Sequence, residues 1–192
     1  MKYVLFSLCG YLSGSILYAY IIPQHVLKID IREGSLDGNP GTANCFMNAG
    51  IKCGIVVLIL ELLKGALPIF LATHFLSTKH ILFSLVLTAP VLGHVFPIFF
   101  HARGGKGIAV SFGVLLGLFP NIYAASMLAL CYIFFSVIDV IKEHADRSII
   151  SYLCFCIICL LTIPVISIRF GCLLITAIVV LRHLFHTQQS IN

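Results

Sequence analysis

The residues best suited to chemistry sit in two glycine-rich segments. The first, Gly104-Gly105-Lys106-Gly107, runs directly into an apolar stretch that reads as a helix. Glycine lets backbone N–H groups come close to a ligand, and the N–H groups at a helix start attract anions. Lys106 adds a full positive charge. The pattern is not the nucleotide-binding loop G-x-x-x-x-G-K-S/T, because its first glycine is missing and Gly107 takes the place of the hydroxyl residue. Taken alone, these four residues fit either a phosphate site or a flexible turn whose lysine only sets membrane topology. The second segment is Gly38-Asn39-Pro40-Gly41-Thr42-Ala43-Asn44. Gly, Asn and Pro each form turns for their own physical reason, so a plain loop fits. Two asparagine amides and a pair of glycines would also suit a pocket for a polyhydroxy phosphate.

Four further residues are chemically notable. Glu61 and Lys64 lie one turn apart inside an apolar run. Ionisable groups at membrane depth are costly and are functional candidates, although an i, i+3 ion pair near the end of a span would neutralise itself. His94 and His183 fall at helix ends, and either could act as a general base near neutral pH or simply cap its helix. Of the eight cysteines, Cys131, Cys154, Cys156, Cys159 and Cys172 lie in apolar runs. They read as packing thiols, with no zinc-ligand spacing and no disulfide framework. Ser13 and Ser15 read as small residues that allow close helix packing.

The elements that must position these groups follow from composition. Of 192 residues, 60% are hydrophobic and 10% charged, against roughly 45–50% and about 25% in soluble domains. A chain this small cannot hide so much apolar surface in one core. A soluble enzyme, a disordered chain and a nucleic-acid binder are excluded, and an all-α integral membrane protein remains. The apolar runs are Tyr3–Ile22, Ile51–Leu76, Ile81–Phe100, Ile108–Ile141, Ile149–Ile168 and Phe170–Phe185. The fourth is too long for one helix and breaks at Phe119-Pro120-Asn121, so about seven spans result. The first run carries Gly10 and Ser13-Gly14-Ser15 and is long for a signal peptide, so it reads as a retained helix. Gln24–Lys52 reads as a polar loop, Lys142–Arg147 as a charged loop, and Pro164–Arg169 as the last turn.

Charge sets the expected orientation, and that is also how the net +5 is read. With the N-terminus outside, Lys28, Arg32, Lys52, Arg103, Lys106, Lys142, Arg147 and Arg182 lie inside, and Lys2, Lys79 and Arg169 lie outside. The C-terminus is then cytoplasmic. The segments richest in glycine and charge share that inner face. Residues 1–192 are expected to form a single transmembrane domain.

Several segments taken together resemble one family, the bacterial membrane acyltransferases that move a fatty acyl group from acyl phosphate to glycerol 3-phosphate, giving lysophosphatidic acid. They are Gly14-Ser15, Asp30-Ile31-Arg32, Gly38 to Asn44, Glu61-Leu-Leu-Lys64-Gly65, and Gly93-His94-Val-Phe96-Pro97 through Gly104-Gly105-Lys106-Gly107. Their order and spacing are the family's, and seven spans with an outer N-terminus also agree. The chain departs at several positions. Asp37 stands at the family's serine, Thr42-Ala43 reverses an A-T pair, and Met47 stands where an arginine is usual. Arg182-His183 is kept, but His186 replaces an asparagine, and the chain stops at Asn192 without a final glutamate.

The resemblance implies a phospholipid-synthesis enzyme of the plasma membrane, with its active face cytoplasmic. Lys106 and the N–H groups of Gly104, Gly105 and Gly107 would hold the acyl phosphate. Asn39, Gly41, Asn44, Arg32 and His94 would bind substrate. His183, or Asp37 in place of the serine, would serve as base if the protein supplies one. Acyl phosphate, glycerol 3-phosphate and membrane lipid are the expected partners. No metal, cofactor or nucleic acid is implied, and no protein partner is assigned. The replaced residues keep open a non-catalytic relative that binds a lipid phosphate or regulates the active enzyme. A small transporter, prompted by Glu61 and Lys64, is disfavoured because no internal repeat is present.

Overall fold

A computed structural model describes residues 1–33, 35, 37–137, 141 and 143–189, with side chains through residue 185. The described residues are helical and irregular, without strands. Helix α1 (Lys2–Gly14) breaks at Ser15–Leu17 and resumes as α2 (Tyr18–Ile22), which widens into a π turn at Pro23–Leu27. Then come α3 (Thr42–Phe75), α4 (Phe83–Val95), a 3₁₀ turn at Ile98–Phe100, α5 (Ile108–Leu116), α6 (Tyr123–Val137), α7 (His144–Thr162) and α8 (Ile166–Gln189).

The seven expected spans thus correspond to seven helical segments of unequal length. Among the described residues, five are long and apolar enough to cross a bilayer: 2–27, 42–75, 83–100, 144–162 and 166–185. The fourth and fifth are shorter. α5 has 9 residues, about 13 Å of rise against roughly 30 Å of hydrocarbon, because Gly107 starts it and a turn over 117–120 ends it. α6 has 15. The end of the expected fifth span at Ile138–Val140, and Lys142, lie outside the described residues.

Three expected boundaries move. The polar segment before Ile51 is partly helical, since α3 starts at Thr42 and bends at Gly50 (φ +84°, ψ 168°), a conformation that glycine adopts without a Cβ penalty. The span expected from Ile51 is the part of α3 beyond that bend. Residues His144–Arg147, expected as loop, form the first turn of α7. The last turn lies at Ile163–Val165, earlier than expected, because Pro164 cannot donate to a continuing helix. Arg169 Nε then donates to the freed Ile163 carbonyl, and Ser167 Oγ donates to Thr78 O.

The main core gathers Phe83, Leu87, Val110, Leu115, Leu128, Phe155 and Ile175 from α4 through α8. Outward residues such as Leu5, Ile55, Ile59, Leu153 and Leu161 are apolar and exposed, as expected where lipid is the solvent. With lipid outside, helices gain by close packing of small residues. A Cβ on Gly14 or Gly93 would overlap the backbone of the facing α4 or α1, and one on Gly65 or Gly113 would do so between α3 and α5. These two crossings bring the ends of α1 and α4, the middle of α3 and the start of α5 together.

Candidate functional site

The break in α1 leaves backbone groups without helical partners inside the membrane, where each must be satisfied by protein. The ion pair of α3 does this. Lys64 Nζ donates to Ile16 O at 2.5 Å, and Glu61 Oε1 accepts from the Ala19 N–H at 3.4 Å. Ser13 Oγ donates to Lys64 O at 2.9 Å. Glu61 Oε2 lies 2.8 Å from Lys64 Nζ and 3.2 Å from His94 Nδ1, and Lys64 Nζ is 2.9 Å from the same histidine nitrogen. Glu61 is 0% exposed, Lys64 4% and His94 5%. The pair lies midway along α3 beyond its bend, not near a span end. His94 joins it as a third member that i, i+3 spacing does not reveal.

His94 also anchors the glycine loop that follows α4. The Gly105 N–H donates to His94 O at 3.2 Å, and a Cβ on Gly105 would overlap His94 Nε2. A Cβ on Gly104 would overlap His94 O, and Gly104 O accepts from Arg182 NH2 at 2.7 Å. Both glycines are therefore required for the loop to lie flat on the end of α4. On the other side, Tyr11 Oη donates to Phe96 O at 2.8 Å, fixing α1 to the exit of α4. Gly107 (φ +85°) then turns the chain into α5. The N–H groups of that first turn have no helical carbonyl to bond and carry the positive end of the helix dipole.

Lys106 leaves this loop toward the segment before α3. Its Nζ lies 2.7 Å from Asp37 Oδ2, with the two side chains 21% and 30% exposed. Asp37 Oδ1 accepts from Asn44 Nδ2 at 2.8 Å and from the Asn39 N–H at 3.1 Å. Asn44 Nδ2 also donates to Asn39 O at 2.8 Å. Burial pushes the Asp37 carboxyl up, but the Lys106 ammonium, the Asn44 amide and the Asn39 N–H outweigh it and hold it at about 2. Gly41 is required because a Cβ there would overlap Asn39 Nδ2. Asn39 is 7% exposed, and its Oδ1 is buried with no hydrogen-bond partner among the described residues. The result is a half-buried polar cluster in which one ammonium and two amides surround the Asp37 carboxylate near the start of α5, donors suited to an anion.

The other expected site residues have these surroundings. The Gly105 N–H donates to His94 O, and the His94 ring faces Glu61 and Lys64 in the interior. Arg32 stands apart from Lys106. It lies 2.6 Å from Asp30 Oδ2 and 4.4 Å over the Tyr20 ring, and its guanidinium holds the Asp30 carboxyl below the usual carboxylate range. His183 is 1% exposed, with Nδ1 donating to Val179 O at 2.8 Å, one turn back along α8. Met47 is 71% exposed, and the side chain of His186 lies outside the described residues. Sequence reading did not assign Arg182 a role. The structure gives it one, since it braces Gly104 while its Nε is buried with no partner among the described residues. Its sequence signals were the kept Arg182-His183 pair and a place on the expected inner face.

Known proteins share this fold. A model of the glycerol-3-phosphate acyltransferase family matches residues 4–192. The chain belongs to the glycerol-3-phosphate acyltransferase family. It is 35% identical over 191 residues to a glycerol-3-phosphate acyltransferase of Staphylococcus haemolyticus, covering 95% of this chain and 91% of that one. It is 42% identical over 126 residues to one of Myxococcus xanthus, covering 66% of this chain and 64% of the relative's length. The crystal structure of PlsY (YgiH), an integral membrane glycerol 3-phosphate acyltransferase in its glycerol 3-phosphate form, superposes with a TM-score of 0.85 at 25% identity, over all of this chain and 92% of that one. Like that family, this chain is a multi-pass membrane protein.

Proposed function

We propose that this chain transfers a fatty acyl group from an acyl phosphate to glycerol 3-phosphate, giving lysophosphatidic acid and inorganic phosphate at the cytoplasmic face of the plasma membrane. The observation that carries this reading is Lys106, projected from a glycine loop at the start of α5 into a wall of amide donors, where the polar edge of an apolar bundle would meet lipid-borne substrate. The named relatives also support catalysis over the non-catalytic alternative.

An acyl phosphate is a mixed anhydride with a good leaving group, so the main requirement is positive charge at the phosphate. Lys106 and the N–H groups at the start of α5 supply it. The glycerol 3-phosphate hydroxyl oxygen attacks the acyl carbon. The bond from that carbon to the phosphate oxygen breaks, and phosphate leaves with the electron pair. The hydroxyl proton passes to a phosphate oxygen, which relieves the protein of supplying a base. Asn39, through its unpartnered Oδ1, and Asn44 orient the acceptor, and holding the reactants together lowers the barrier by several kcal/mol. Arg182 keeps the loop in place through Gly104. Residues 1–192 act as one transmembrane domain with the N-terminus outside, on the charge distribution given above.

The test is direct. Purified protein incubated with palmitoyl phosphate and glycerol 3-phosphate should yield lysophosphatidic acid by mass spectrometry, and Lys106→Ala should abolish it. Folded wild-type protein that makes no product overturns the reading. Reporter fusions at the two termini test the orientation.

A further inference from the structure

The carboxylate of Asp37 already occupies the place that an anionic ligand of Lys106 would take. Its Oδ2 lies 2.7 Å from Lys106 Nζ, and its Oδ1 accepts from Asn44 Nδ2 at 2.8 Å and from the Asn39 N–H at 3.1 Å. An ammonium, an amide and a backbone N–H converging on one anion are the donors that suit a phosphate oxygen. We propose that Asp37 is an internal counter-ion that competes with the substrate phosphate for Lys106 and so sets the affinity of the site for phosphoryl groups. This rests on the acyl-transfer reading above, and it deepens it by naming what substrate must displace.

Three observations carry the proposal. A phosphate and a fixed carboxylate cannot share one ammonium without like-charge repulsion, so one must leave. Asp37 is the one able to leave. Its side chain is 30% exposed, and the next residue, Gly38, sits at φ +58° with open space where a Cβ would be. Gly38 thus gives the segment a point about which it can turn. The competing role, proton acceptor, fits poorly, since three donors already hold the carboxylate and a base held at about 2 is weak near neutrality. Departure of Asp37 would also free Asn44 Nδ2 and the Asn39 N–H beside the buried Asn39 Oδ1. Anion binding and exposure of acceptor-binding groups are then one event.

The experiment uses the full chain in detergent micelles and inorganic phosphate as the probe, with affinity read by titration calorimetry. A partly exposed ion pair that must open before the ligand binds weakens apparent affinity by about fivefold. Asp37→Asn and Asp37→Ser should therefore each lower the phosphate Kd by about that factor, Lys106→Ala should abolish binding, and Asp37→Ser with Lys106→Ala should show no gain. Unchanged or weaker phosphate binding in both folded Asp37 variants overturns the proposal. So does a collapse of turnover at unchanged phosphate affinity, which would make Asp37 a proton acceptor. Asp37→Asn preserves side-chain size and an acceptor for Asn44, and the unfolding midpoint of each variant checks its fold. Acyl transfer by wild-type protein is assayed in parallel. Its absence would remove the catalytic reading while leaving the phosphate comparison interpretable.

Discussion

Replacing Lys64 by methionine takes the ammonium away from a carboxylate that has no access to water. Glu61 is 0% exposed, and its Oε2 would keep His94 Nδ1 at 3.2 Å after losing Lys64 Nζ at 2.8 Å. Ile16 O in the break of α1 would lose its donor too. Removing one partner of a buried ion pair costs about 3–5 kcal/mol, so Lys64→Met should destabilise by that amount. Glu61→Gln, which leaves the lysine charge, should cost a similar amount. Replacing both leaves no buried charge between the pair. The remaining penalty is the loss of the partner for Ile16 O, at about 1–3 kcal/mol, since a glutamine amide oxygen can still accept from the Ala19 N–H. The double variant should therefore be destabilised by about 1–3 kcal/mol, well under the roughly 6–10 kcal/mol sum of the singles. Equilibrium unfolding in mixed micelles with rising dodecyl sulfate, followed by circular dichroism, measures all four proteins. Single costs that add to the double within about 0.5 kcal/mol would refute the argument that these charges are held as one buried unit.

Gly105→Ala puts a methyl group into His94 Nε2. Overpacking of this kind costs about 1–3 kcal/mol, and because the loop carries Lys106, kcat/KM for the acyl phosphate should fall by at least about tenfold while the protein stays folded. Cys45 and Cys53 face each other across the bend at Gly50 with Sγ atoms 3.6 Å apart. Mild copper–phenanthroline oxidation should join them within one chain, seen by peptide mass; reduced thiols after treatment would mean that the bend is not as described. Asp37 is held at about 2, below its ordinary 3.8, so its ion pair adds stability that is complete above pH 4 and lost as pH falls through about 2. The infrared carboxylic-acid band of Asp37, identified by its loss in Asp37→Asn, should therefore emerge only below about pH 3; a band already present at pH 5 would contradict the geometry.

Much of this molecule is set by the sequence read alone. A chain with 60% hydrophobic and 10% charged residues has to live in lipid, since a small protein has too little interior for that much apolar surface. The polar breaks then divide it into helices. Gly104-Gly105-Lys106-Gly107 was legible as a candidate anion loop because glycine and a helix start act locally, through backbone conformation and unpaired N–H groups. The bend at Gly50 was not, since the segment before Ile51 read as a polar loop and only the structure shows α3 starting at Thr42.

Tertiary structure decided which groups meet. Asp37 and Lys106 are 69 residues apart, and no local rule pairs them. They meet because glycine crossings pull α1 onto α4 and α3 onto α5. Glu61 and Lys64 were visible as an i, i+3 pair, but their purpose was not. It lies in the unbonded backbone of another helix, and that demand exists only once α1 breaks beside α3. His94 was visible as a polar residue near a span end. Whether it faced substrate or the interior depended on the rotation of α4, which packing against Gly14 and Glu61 fixes. Residue types set which chemistry is possible. The burial of charge against a broken helix, in a solvent that offers no hydrogen bonds, selects which part of it is assembled.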